Sequence, residues 1–302
     1  MKTKLQKALS NPRLALDVLM RSTCNIWPDK LYLSILYRLR FHRKLDWSSP
    51  QSFNEKLNWQ KLYNRNPLYT RLADKYEVKD IIRNIIGDNY IVPNYGVWDK
   101  FEDIPFEEMP DQFVLKMTHD SFGAIVCRDK NCFNKEEARK KVIESTSANY
   151  YPYLREWVYK DIKPRLIIDK FLDDHSGHEL KDYKFWCFNG EPKVIYLTNK
   201  ATDIFENFYD MNFNPLDINH GFERHKPEFE KPEAFELMKE LARKISKNIP
   251  FVRVDFFYVD GHVYFGECTF YDWAGMRPFT DYEWDLRLGK WIDLSIVDKS
   301  LI

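Results

Sequence analysis

Residues 251–269 read Phe251-Val-Arg-Val-Asp-Phe-Phe-Tyr-Val-Asp-Gly-His-Val-Tyr-Phe-Gly-Glu-Cys-Thr269. Two apolar runs flank the dipeptide Asp260-Gly261, which is typical of a β-hairpin turn. Because side chains alternate along a strand, Arg253 and Asp255 share one face of the first strand. Glu267 lies near the end of the second strand. The stretch therefore predicts a hairpin that carries charged side chains within apolar strands.

The turn of this hairpin decides whether the Asp255 and Glu267 carboxylates meet. A two-residue loop, 260–261, would send Glu267 to the face opposite Asp255. A three-residue loop, 259–261, pairs Asp255 with Phe265 and places Glu267 one pleat further along on the same side. We therefore predict an odd-length or bulged connection, since only that register lets the two carboxylates share a metal.

Two carboxylates on one face supply hard anionic oxygens that suit Mg²⁺, which proteins bind through one or two carboxylates together with substrate phosphates. Arg253 beside them offers a planar fork for a phosphoryl group. Charges inside apolar strands are costly unless they are paired or coordinated. The residues themselves leave two interpretations open: a metal-and-phosphate site formed by Asp255, Glu267 and Arg253, or a buried ion-pair network without a ligand.

The remainder of the chain mixes strand and helix patterns. Apolar strand patterns occur at 90–93, 112–117, 124–127, 165–172, 183–188 and 193–198, and the hairpin continues the series at 251–258 and 262–267. Helical periodicity occurs at 31–39, 52–62, 70–86, 135–145 and 232–248. Ser52 followed by Glu55 predicts a capping box at the start of one of these helices. Strands and helices mixed with hairpins indicate an α+β fold.

Length and charge narrow the classes of function. The chain has 302 residues, which allows two domains or one large domain with an appendage. Forty-six Lys and Arg residues balance 46 Asp and Glu residues, and zero net charge argues against a dedicated nucleic-acid binder. Residues 1–44 are basic, with ten Lys or Arg and two Asp or Glu. Such a segment suits either peripheral contact with an anionic membrane or a solvated helical face.

The cysteines and the apolar runs bear on the compartment. Five cysteines without a Cys-x-x-Cys pair predict neither a disulfide framework nor a zinc site, which favours a reducing cytoplasm. Residues 1–10 lack the apolar core of a signal peptide, and no run nears the ~20 apolar residues of a spanning helix. We therefore expect the protein in the cytoplasm or at the inner face of the cell membrane.

Two further patterns have a structural interpretation. The histidines of the polar stretches, His175, His178, His220 and His225, are interpreted as solvated loop residues, because they lack a cysteine or carboxylate ligand pattern. The aromatic residues between 205 and 213 are numerous enough to bind sugars, but packing is their commoner use.

Several motifs together resemble one enzyme family. The pattern Arg253-x-Asp255…Glu267-x-Thr269 on two strands is similar to the end of an ATP-grasp ligase, as in D-alanine–D-alanine ligases. Three segments resemble the TupA-like branch of that family: the sequence of 255–270, Asp182-Tyr-Lys-Phe-Trp-Cys-Phe-Asn-Gly and Leu72-Ala-Asp-Lys-Tyr-Glu-Val-Lys. This branch is linked to teichuronopeptide and capsular-polysaccharide assembly. The resemblance covers roughly 52–289, and its motifs are specific in combination.

The resemblance implies an ATP-grasp fold, in which two α+β subdomains clasp ATP, with a helical N-terminal extension. The implied boundaries are 1–50 for the basic helical extension, 51–112 for a helical or α+β N-terminal part, and 113–302 for the nucleotide-binding and catalytic region.

The resemblance also implies a metal site and two catalytic cations. Asp255, Glu267 and Thr269 would bind Mg²⁺, with Thr269 standing where many relatives have Asn. Arg253 would hold the transferring phosphate and the acyl phosphate, and Lys184 would make a further phosphate contact. Gly275 would lie beside the bound substrate, because relatives place a glycine there.

ATP-binding residues follow from the same resemblance. Lys116 would grip the nucleotide phosphates from its strand, with Lys75 as a second lysine. The loop 118–125 would cover the phosphates, and the strand end 169–172 would meet adenine through its backbone. The complete set of residues implied to bind ATP is Lys75, Lys116, Ser121, Gly123, Asp169, Lys170, Phe171, Leu172 and Asp182.

The implied activity is that of an ATP- and Mg²⁺-dependent carboxylate–amine ligase, which forms an amide through an acyl phosphate. Its partners would be an amino acid and a glycan precursor, either soluble or lipid-linked, with a uronic acid as the glycan's reacting group. One alternative is a nucleotide-sugar-dependent glycosyltransferase of capsule or O-antigen assembly. A second is a non-catalytic nucleotide-binding scaffold, since a fold does not fix a function.

Overall fold

A computed structural model describes residues 12–120, 124–147, 151–175, 180–199, 205–298 and 300. The α-helices of this part of the chain are α1 (Pro12–Ser22), α2 (Asp29–Phe41), α3 (Phe53–Tyr63), α4 (Pro67–Ala73), α5 (Glu77–Ile86), α6 (Lys135–Ser147), α7 (Tyr151–Leu154), α8 (Phe235–Ile245) and α9 (Tyr282–Lys290). The strands are β1 (Asn94–Trp98), β2 (Phe113–Met117), β3 (Ile125–Cys127), β4 (Leu166–Lys170), β5 (Asp182–Phe188), β6 (Glu191–Asn199), β7 (Phe205–Tyr209), β8 (Pro215–Leu216), β9 (Phe251–Val259) and β10 (His262–Thr269). The predicted α+β class is confirmed.

The larger sheet has six antiparallel strands in the order β10-β9-β5-β6-β7-β8. One face packs against α5 and α8, where Ile82 and Met238 are fully buried with Phe185 of β5. Side chains alternate along β5, so Trp186 faces the other way and enters an aromatic cluster with Phe53 of α3. The charged residues of the hairpin lie on this second face, beyond the aromatic cluster.

The smaller sheet has four antiparallel strands in the order β1-β4-β2-β3. One face is apolar and packs against α6, because Phe113 and Leu115 of β2 meet Ile168 of β4 and Val142 of the helix. Alternation turns Lys116 and the neighbouring Asp169 to the opposite face. Each sheet thus presents one polar face, and these two faces carry the predicted site residues.

Helices α1 and α2 pack onto the body of the protein. Their buried residues form a cluster that includes Tyr32, Leu36 and Met276, a residue that follows the hairpin by a short turn. Arg155 connects the segment between these two helices to the body of the protein, because its Nη2 atom donates to the carbonyls of Cys24 (2.7 Å) and Trp27 (3.0 Å). Within the described residues, no helix combines the length and the apolar character needed to cross a bilayer.

The hairpin turn differs from the predicted three-residue loop, which is wrong. His262 pairs with Val259, so the turn has two residues, and the positive φ angles of Asp260 (51°) and Gly261 (76°) fit a type I′ turn. The register shifts between Phe265 and Glu267 instead. This β-bulge is the second of the two connections that we predicted. It returns Glu267 to the face of the sheet that carries Asp255.

The bulge lies at Gly266 and sets the geometry of the carboxylates. A Cβ atom at this position would lie 3.1 Å from the backbone oxygen of Asp255, so glycine suits the close approach of the strands. Beyond the bulge, Glu267 pairs directly with Asp255 across the ladder. The expected placement of the two carboxylates on one face is therefore confirmed, although by a different backbone device.

One predicted strand is absent from the structure, and one predicted helix is divided into two. The strand expected at 90–93 is absent: Asp88–Tyr90 form a 3₁₀ turn and Ile91 makes one isolated bridge to Phe265. The helix expected at 70–86 is split into α4 and α5. Asp74 causes this break, because its Oδ1 atom accepts the backbone N–H groups of Tyr76 (2.7 Å) and Glu77 (3.0 Å) and so starts a new helix.

Candidate functional site

Strand register brings three charged side chains into one row on the polar face of the six-stranded sheet. Lys184 of β5 pairs with Asp255 of β9, and Asp255 pairs with Glu267 of β10. The Lys184 Nζ atom donates to Asp255 Oδ2 at 2.7 Å and lies 2.9 Å from Asp182 Oδ2. Because Lys184 is buried between two carboxylates, its ammonium position is fixed before any ligand arrives.

Arg253 connects this row to the segment that follows the hairpin. Its guanidinium holds Asp255 through two bonds, Nε to Oδ1 (2.8 Å) and Nη2 to Oδ2 (2.7 Å). Nη2 also donates to Glu267 Oε1 at 2.7 Å, and Nη1 donates to Asp272 Oδ1 at 2.8 Å and to the Tyr196 hydroxyl at 3.2 Å. The arginine fork is thereby oriented along the row of carboxylates.

Burial and charge act in opposite directions on these groups. Burial raises the pKa of the Asp255 carboxyl, while the charges of Arg253 and Lys184 act to lower it. Burial acts to lower the pKa of Lys184, but Asp255 and Asp182 outweigh it and the pKa is raised. The pKa of Arg253 is raised in the same way, with Asp255 as the main opposing charge. Both cations therefore stay charged at neutral pH.

The residues present fit a Mg²⁺ ion that is completed by phosphate oxygens. Asp255 and Glu267 face each other, the Glu267 side chain is 41% exposed, and the Thr269 hydroxyl lies 3.2 Å from Glu267 Oε1. Within the described ranges, no group of three or more His, Cys, Asp or Glu side chains could hold a metal by itself. Two carboxylates and a hydroxyl are a partial ligand set, which suits Mg²⁺ bound together with a nucleotide.

The four-stranded sheet contributes a cationic surface. Lys116 Nζ lies 3.0 Å from Asp169 Oδ2, and Lys79 Nζ lies 2.7 Å from Asp169 Oδ1. A single carboxylate is thus shared by two ammonium groups, which leaves an excess of positive charge. Polyphosphate is the ligand that such a surface attracts, particularly when the facing sheet carries the carboxylates for a metal.

Lys75 lies in the break between α4 and α5, and its ammonium donates to the backbone oxygen of Asp120. Burial lowers the pKa of this ammonium, and the Glu267 and Asp120 carboxylates oppose that lowering. Lys116 acts on Lys75 in the same direction as burial. The Lys75 backbone N–H donates to the Thr118 carbonyl just after β2 (3.1 Å), and Tyr69 of α4 stacks on Phe270 just after β10 (4.4 Å). Lys75 therefore lies at the cleft where the two sheets meet.

The predicted adenine strand ends beside a groove. The ladder of β4 ends at Lys170, and Phe171 and Leu172 follow it. A groove of about 670 Å³ lies at this end of the sheet, and its lining includes Phe171, Lys170 and Arg128. The Arg128 guanidinium lies 5.1 Å from the centroid of the Phe171 ring. The lining of the groove includes neither Arg253 nor Lys116, so the groove is separate from the charged row on the larger sheet.

The structure brings together most of the predicted set. The residues on the larger sheet are Arg253, Lys184, Asp182, Asp255, Glu267 and Thr269. Lys116, Asp169 and Lys170 lie on the smaller sheet, Phe171 and Leu172 follow the end of β4, and Lys75 lies between the two sheets. Ser121 and Gly123 lie outside the described residues. His220, expected to be solvated, is instead buried, and its Nδ1 atom lies 3.1 Å from Glu206 Oε2.

Three functional candidates were not predicted: Lys79, Tyr196 and Asp272. Lys79 follows Lys75 by four residues, a helical spacing that could have indicated a second cation, but the helix break lies between them. Asp272 lies five residues after Glu267, and Tyr196 lies within an apolar strand. Local sequence gives no signal that both would contact Arg253.

Helix α3 holds the turn after the hairpin from behind. Trp273, Ala274 and Gly275 all have left-handed backbone angles, with φ of 46°, 54° and 55°. The Lys61 ammonium, fully buried, donates to the Ala274 carbonyl at 2.6 Å, and the Asn58 amide donates to the Gly275 carbonyl at 2.7 Å. These bonds stabilise a conformation that non-glycine residues rarely adopt.

Comparisons with known proteins show which family the chain belongs to. The TupA-like ATP-grasp family model matches residues 55–293. The chain is similar to the D-alanine–D-alanine ligase of Bacillus anthracis complexed with ATP, at 18% identity and a TM-score of 0.38, over 66% of this chain and 53% of that one. It is similar to the enzyme of Helicobacter pylori at 16% identity and a TM-score of 0.39, over 74% and 61%. It is also similar to the ATP-grasp ligase PsnB complexed with minimal precursor, at 10% identity and a TM-score of 0.38, over 72% of this chain and 60% of that one.

The chain spans less than two thirds of the length of each of these three structures. No curated protein matches it. The family match, however, extends over more than half of the chain and includes every element that carries the cleft. The chain has the ATP-grasp fold and belongs to the TupA-like ATP-grasp family.

Proposed function

We propose that the protein is an ATP-dependent ligase that activates a carboxylate as an acyl phosphate and joins it to an amine. One observation carries this proposal: Asp255 and Glu267 are directly opposed across a ladder, with the Arg253 fork bonded to both. Phosphoryl transfer needs cations and a metal around developing phosphate charge, with little covalent help from the protein. The cleft provides the cations, and Asp255 and Glu267 are the carboxylates that would hold the metal.

The reaction has two steps. A substrate carboxylate oxygen attacks the γ-phosphorus of ATP, the bond to the bridging oxygen breaks, and ADP leaves. The amine then attacks the acyl carbon, inorganic phosphate leaves, and the amine nitrogen loses a proton to form the amide. Bound Mg²⁺, held by Asp255 and Glu267, would neutralise charge on the transferring phosphate.

Each cation has a place in this scheme. Lys116 and Lys75 hold the nucleotide phosphates from the side of the four-stranded sheet. Arg253 and Lys184 lie on the other side, where they stabilise the negative charge of the acyl phosphate. Asp182 holds the Lys184 ammonium in position through its 2.9 Å contact, so the ammonium stays beside the acyl phosphate when ADP leaves. The backbone of 170–172, at the end of β4 and just after it, binds adenine.

For the substrates, we propose a uronic acid or a similar carboxylate on a surface-glycan precursor, and an amino acid as the amine. The motifs shared with a family linked to capsular-polysaccharide assembly support this choice. All five cysteines are free, which fits a reducing cytoplasm as the place of reaction.

An ADP-release assay tests the proposed function. Wild-type protein with ATP and Mg²⁺ is supplied with uronic-acid glycans and a panel of amino acids, and the product mass is measured. We expect ADP release that requires both substrates, and a product heavier than the glycan by one amino-acid residue. A parallel reaction contains a nucleotide sugar in place of ATP and the amino acids, and its consumption there without ADP release in the first assay would instead identify a glycosyltransferase. Absence of any turnover with tight ATP binding would identify a scaffold.

We also propose peripheral contact between the N-terminal helices and an anionic membrane, which would bring the enzyme to a lipid-linked glycan. Two large apolar residues of this region are exposed to solvent: Leu19 is 55% exposed and Ile26 is 75% exposed. They lie in the basic N-terminal part of the chain. Replacing both with glutamate should reduce co-sedimentation with vesicles that contain phosphatidylserine, because it removes apolar contact and adds negative charge. Unchanged co-sedimentation would reject the membrane contact.

A further inference from the structure

One more cation, Arg277, follows the turn after the hairpin and has no role in the scheme above. Arg277 follows the turn 272–275, and its Nε atom donates to the backbone oxygen of His220 at 2.9 Å. Its guanidinium lies 3.8 Å from the centroid of the Phe222 ring and 4.5 Å from that of Trp273. No acidic side chain within the described part of the chain forms a salt bridge with it.

The rings that hold Arg277 are anchored to buried groups. The Trp273 indole N–H donates to Glu206 Oε1 at 3.0 Å, and the other oxygen of Glu206 lies 3.1 Å from Nδ1 of His220. Glu206 and His220 are both buried, whereas the Trp273 side chain is 39% exposed. A ring whose edge is fixed and whose surface is accessible is a rigid platform for a ligand.

The platform is connected to the reaction centre through consecutive residues. Asp272 accepts a 2.8 Å hydrogen bond from Arg253, and Trp273 is the next residue in the chain. Glu206, which accepts the Trp273 indole N–H, pairs with Thr198 of β6, and Tyr196 on the same face of β6 accepts a hydrogen bond from Arg253. A small molecule on Trp273 can therefore extend along this face of the sheet toward the acyl phosphate beside Arg253. The surface formed by Trp273, Phe222 and Arg277 therefore lies at the edge of the cleft where a second substrate would enter.

Charge indicates which group this surface binds. A guanidinium stacked on aromatic rings presents its two terminal nitrogens as a planar fork, which matches a carboxylate or a phosphate. The Glu206 carboxylate is held at the indole N–H edge of Trp273 and not at the fork. Burial lowers the pKa of Arg277, and Glu206 opposes that lowering. One cation, partly compensated by Glu206, suits a monoanionic carboxylate better than a dianionic phosphate.

We propose that Arg277 binds the carboxylate of the amine-bearing substrate, which is an amino acid that reacts through its amine. The proposal rests on the ligase function proposed above. The carboxylate to be phosphorylated lies at Arg253 and the metal ligands, so a carboxylate at Arg277 is a different one and stays unreacted. An amino acid supplies both required groups, an amine for the acyl phosphate and a carboxylate for the fork. Arg277 thus determines specificity without taking part in bond formation.

The test compares amino acids with their uncharged α-amides in the ADP-release assay, using wild-type protein and the R277Q variant. We expect that amides do not replace the acids, and that R277Q raises the KM for the amino acid roughly 10- to 150-fold, the range for one hydrogen bond to a charged group. The KM for ATP should stay unchanged. The matched control is R287Q, because the Arg287 guanidinium also stacks on a tryptophan, Trp284 at 4.9 Å, but on an exposed helix.

Equal activity of acids and amides, or an unchanged amino-acid KM in R277Q, would overturn the proposal. A binding arm separates this from failure of the ligase function. Thermal shifts of the wild-type protein and R277Q are measured with the same acids and amides, in the presence of a non-hydrolysable ATP analogue. Stabilisation by acids alone, lost in R277Q, would support the carboxylate site even if no ADP were released. Equal shifts for acids and amides would reject it.

Discussion

Replacing Glu267 with glutamine separates the function of the cleft from its stability. The substitution keeps the size of the side chain but removes the charge from one of the two metal ligands. The Glu267 side chain is 41% exposed, and Arg253, although only 12% exposed, keeps Asp255 and Asp272 as partners when Glu267 loses its charge. Loss of this ion pair should therefore cost about 1 kcal/mol of folding free energy. We therefore expect the melting temperature of E267Q to fall by no more than about 4 °C.

The effect of E267Q on turnover should be much larger. Loss of one preorganised charge contact to a transition state typically lowers the rate about 10²- to 10³-fold. Mg²⁺-dependent ADP release by E267Q should therefore fall at least ~100-fold at saturating ATP. E283Q is the control, since Glu283 is exposed on α9. A melting temperature and a turnover that both match those of wild type would refute the metal role of Glu267.

D255N provides a contrast within the same ladder. Asp255 is 2% exposed and accepts bonds from both Arg253 and Lys184. Removing one partner from a buried charge network typically costs about 3–5 kcal/mol. D255N should therefore lose both turnover and stability, whereas E267Q should lose turnover alone. Equal destabilisation of the two variants would show that the exposure of Glu267 does not determine its contribution to folding.

Three other predictions concern the framework around the site. Burial raises the pKa of Asp285 from 3.8 to about 6. Its protonated form therefore stabilises the fold below pH 4, and this stabilisation, about 3 kcal/mol, is lost as the pH rises through 6. In urea unfolding, the free energy of unfolding of the wild type should fall by this amount relative to that of D285N over this pH range. G289A should lower the free energy of unfolding by about 1–3 kcal/mol or more, because a Cβ atom would lie 2.1 Å from the Gln51 carbonyl oxygen. K61M should lower the rate of ADP release, because the Lys61 bond to the Ala274 carbonyl positions the turn beside Arg253.

Each of these predictions has a clear contrary result. A constant difference in stability between wild type and D285N from pH 4 to 6 would show that Asp285 has an ordinary pKa. Wild-type stability of G289A would mean that α9 can shift away from residue 51 without loss of packing. A K61M protein that is fully active, with an unchanged melting temperature, would mean that Asn58 alone is sufficient to hold the turn.

Much of the fold could be predicted from sequence because local patterns determine it. The capping box of Ser52 and Glu55 is present at the start of α3, and strands β2 to β6, β9 and β10 lie close to their expected positions, whereas β1, β7 and β8 were not predicted. The hairpin was correct in its strands but not in its turn. Two-residue and three-residue turns both fit Asp260-Gly261, and a bulge at Gly266 depends on cross-strand contacts that a single strand does not show.

The site could be predicted only in part, for a related reason. Arg253, Asp255 and Glu267 lie on one hairpin, so alternation along the strands is sufficient to group them. Asp272 and Tyr196 meet Arg253 only after the turn and a separate strand have packed. Such long-range contacts leave no trace in local periodicity.

The most direct test of the metal-and-nucleotide cleft is a crystal structure of the protein with Mg²⁺ and a non-hydrolysable ATP analogue. We predict a metal ion about 2.0–2.1 Å from carboxylate oxygens of both Asp255 and Glu267. The phosphates should lie between this metal and Lys116, with adenine at 170–172. A nucleotide bound elsewhere, with Arg253 still bonded to both carboxylates and no metal between them, would contradict the account.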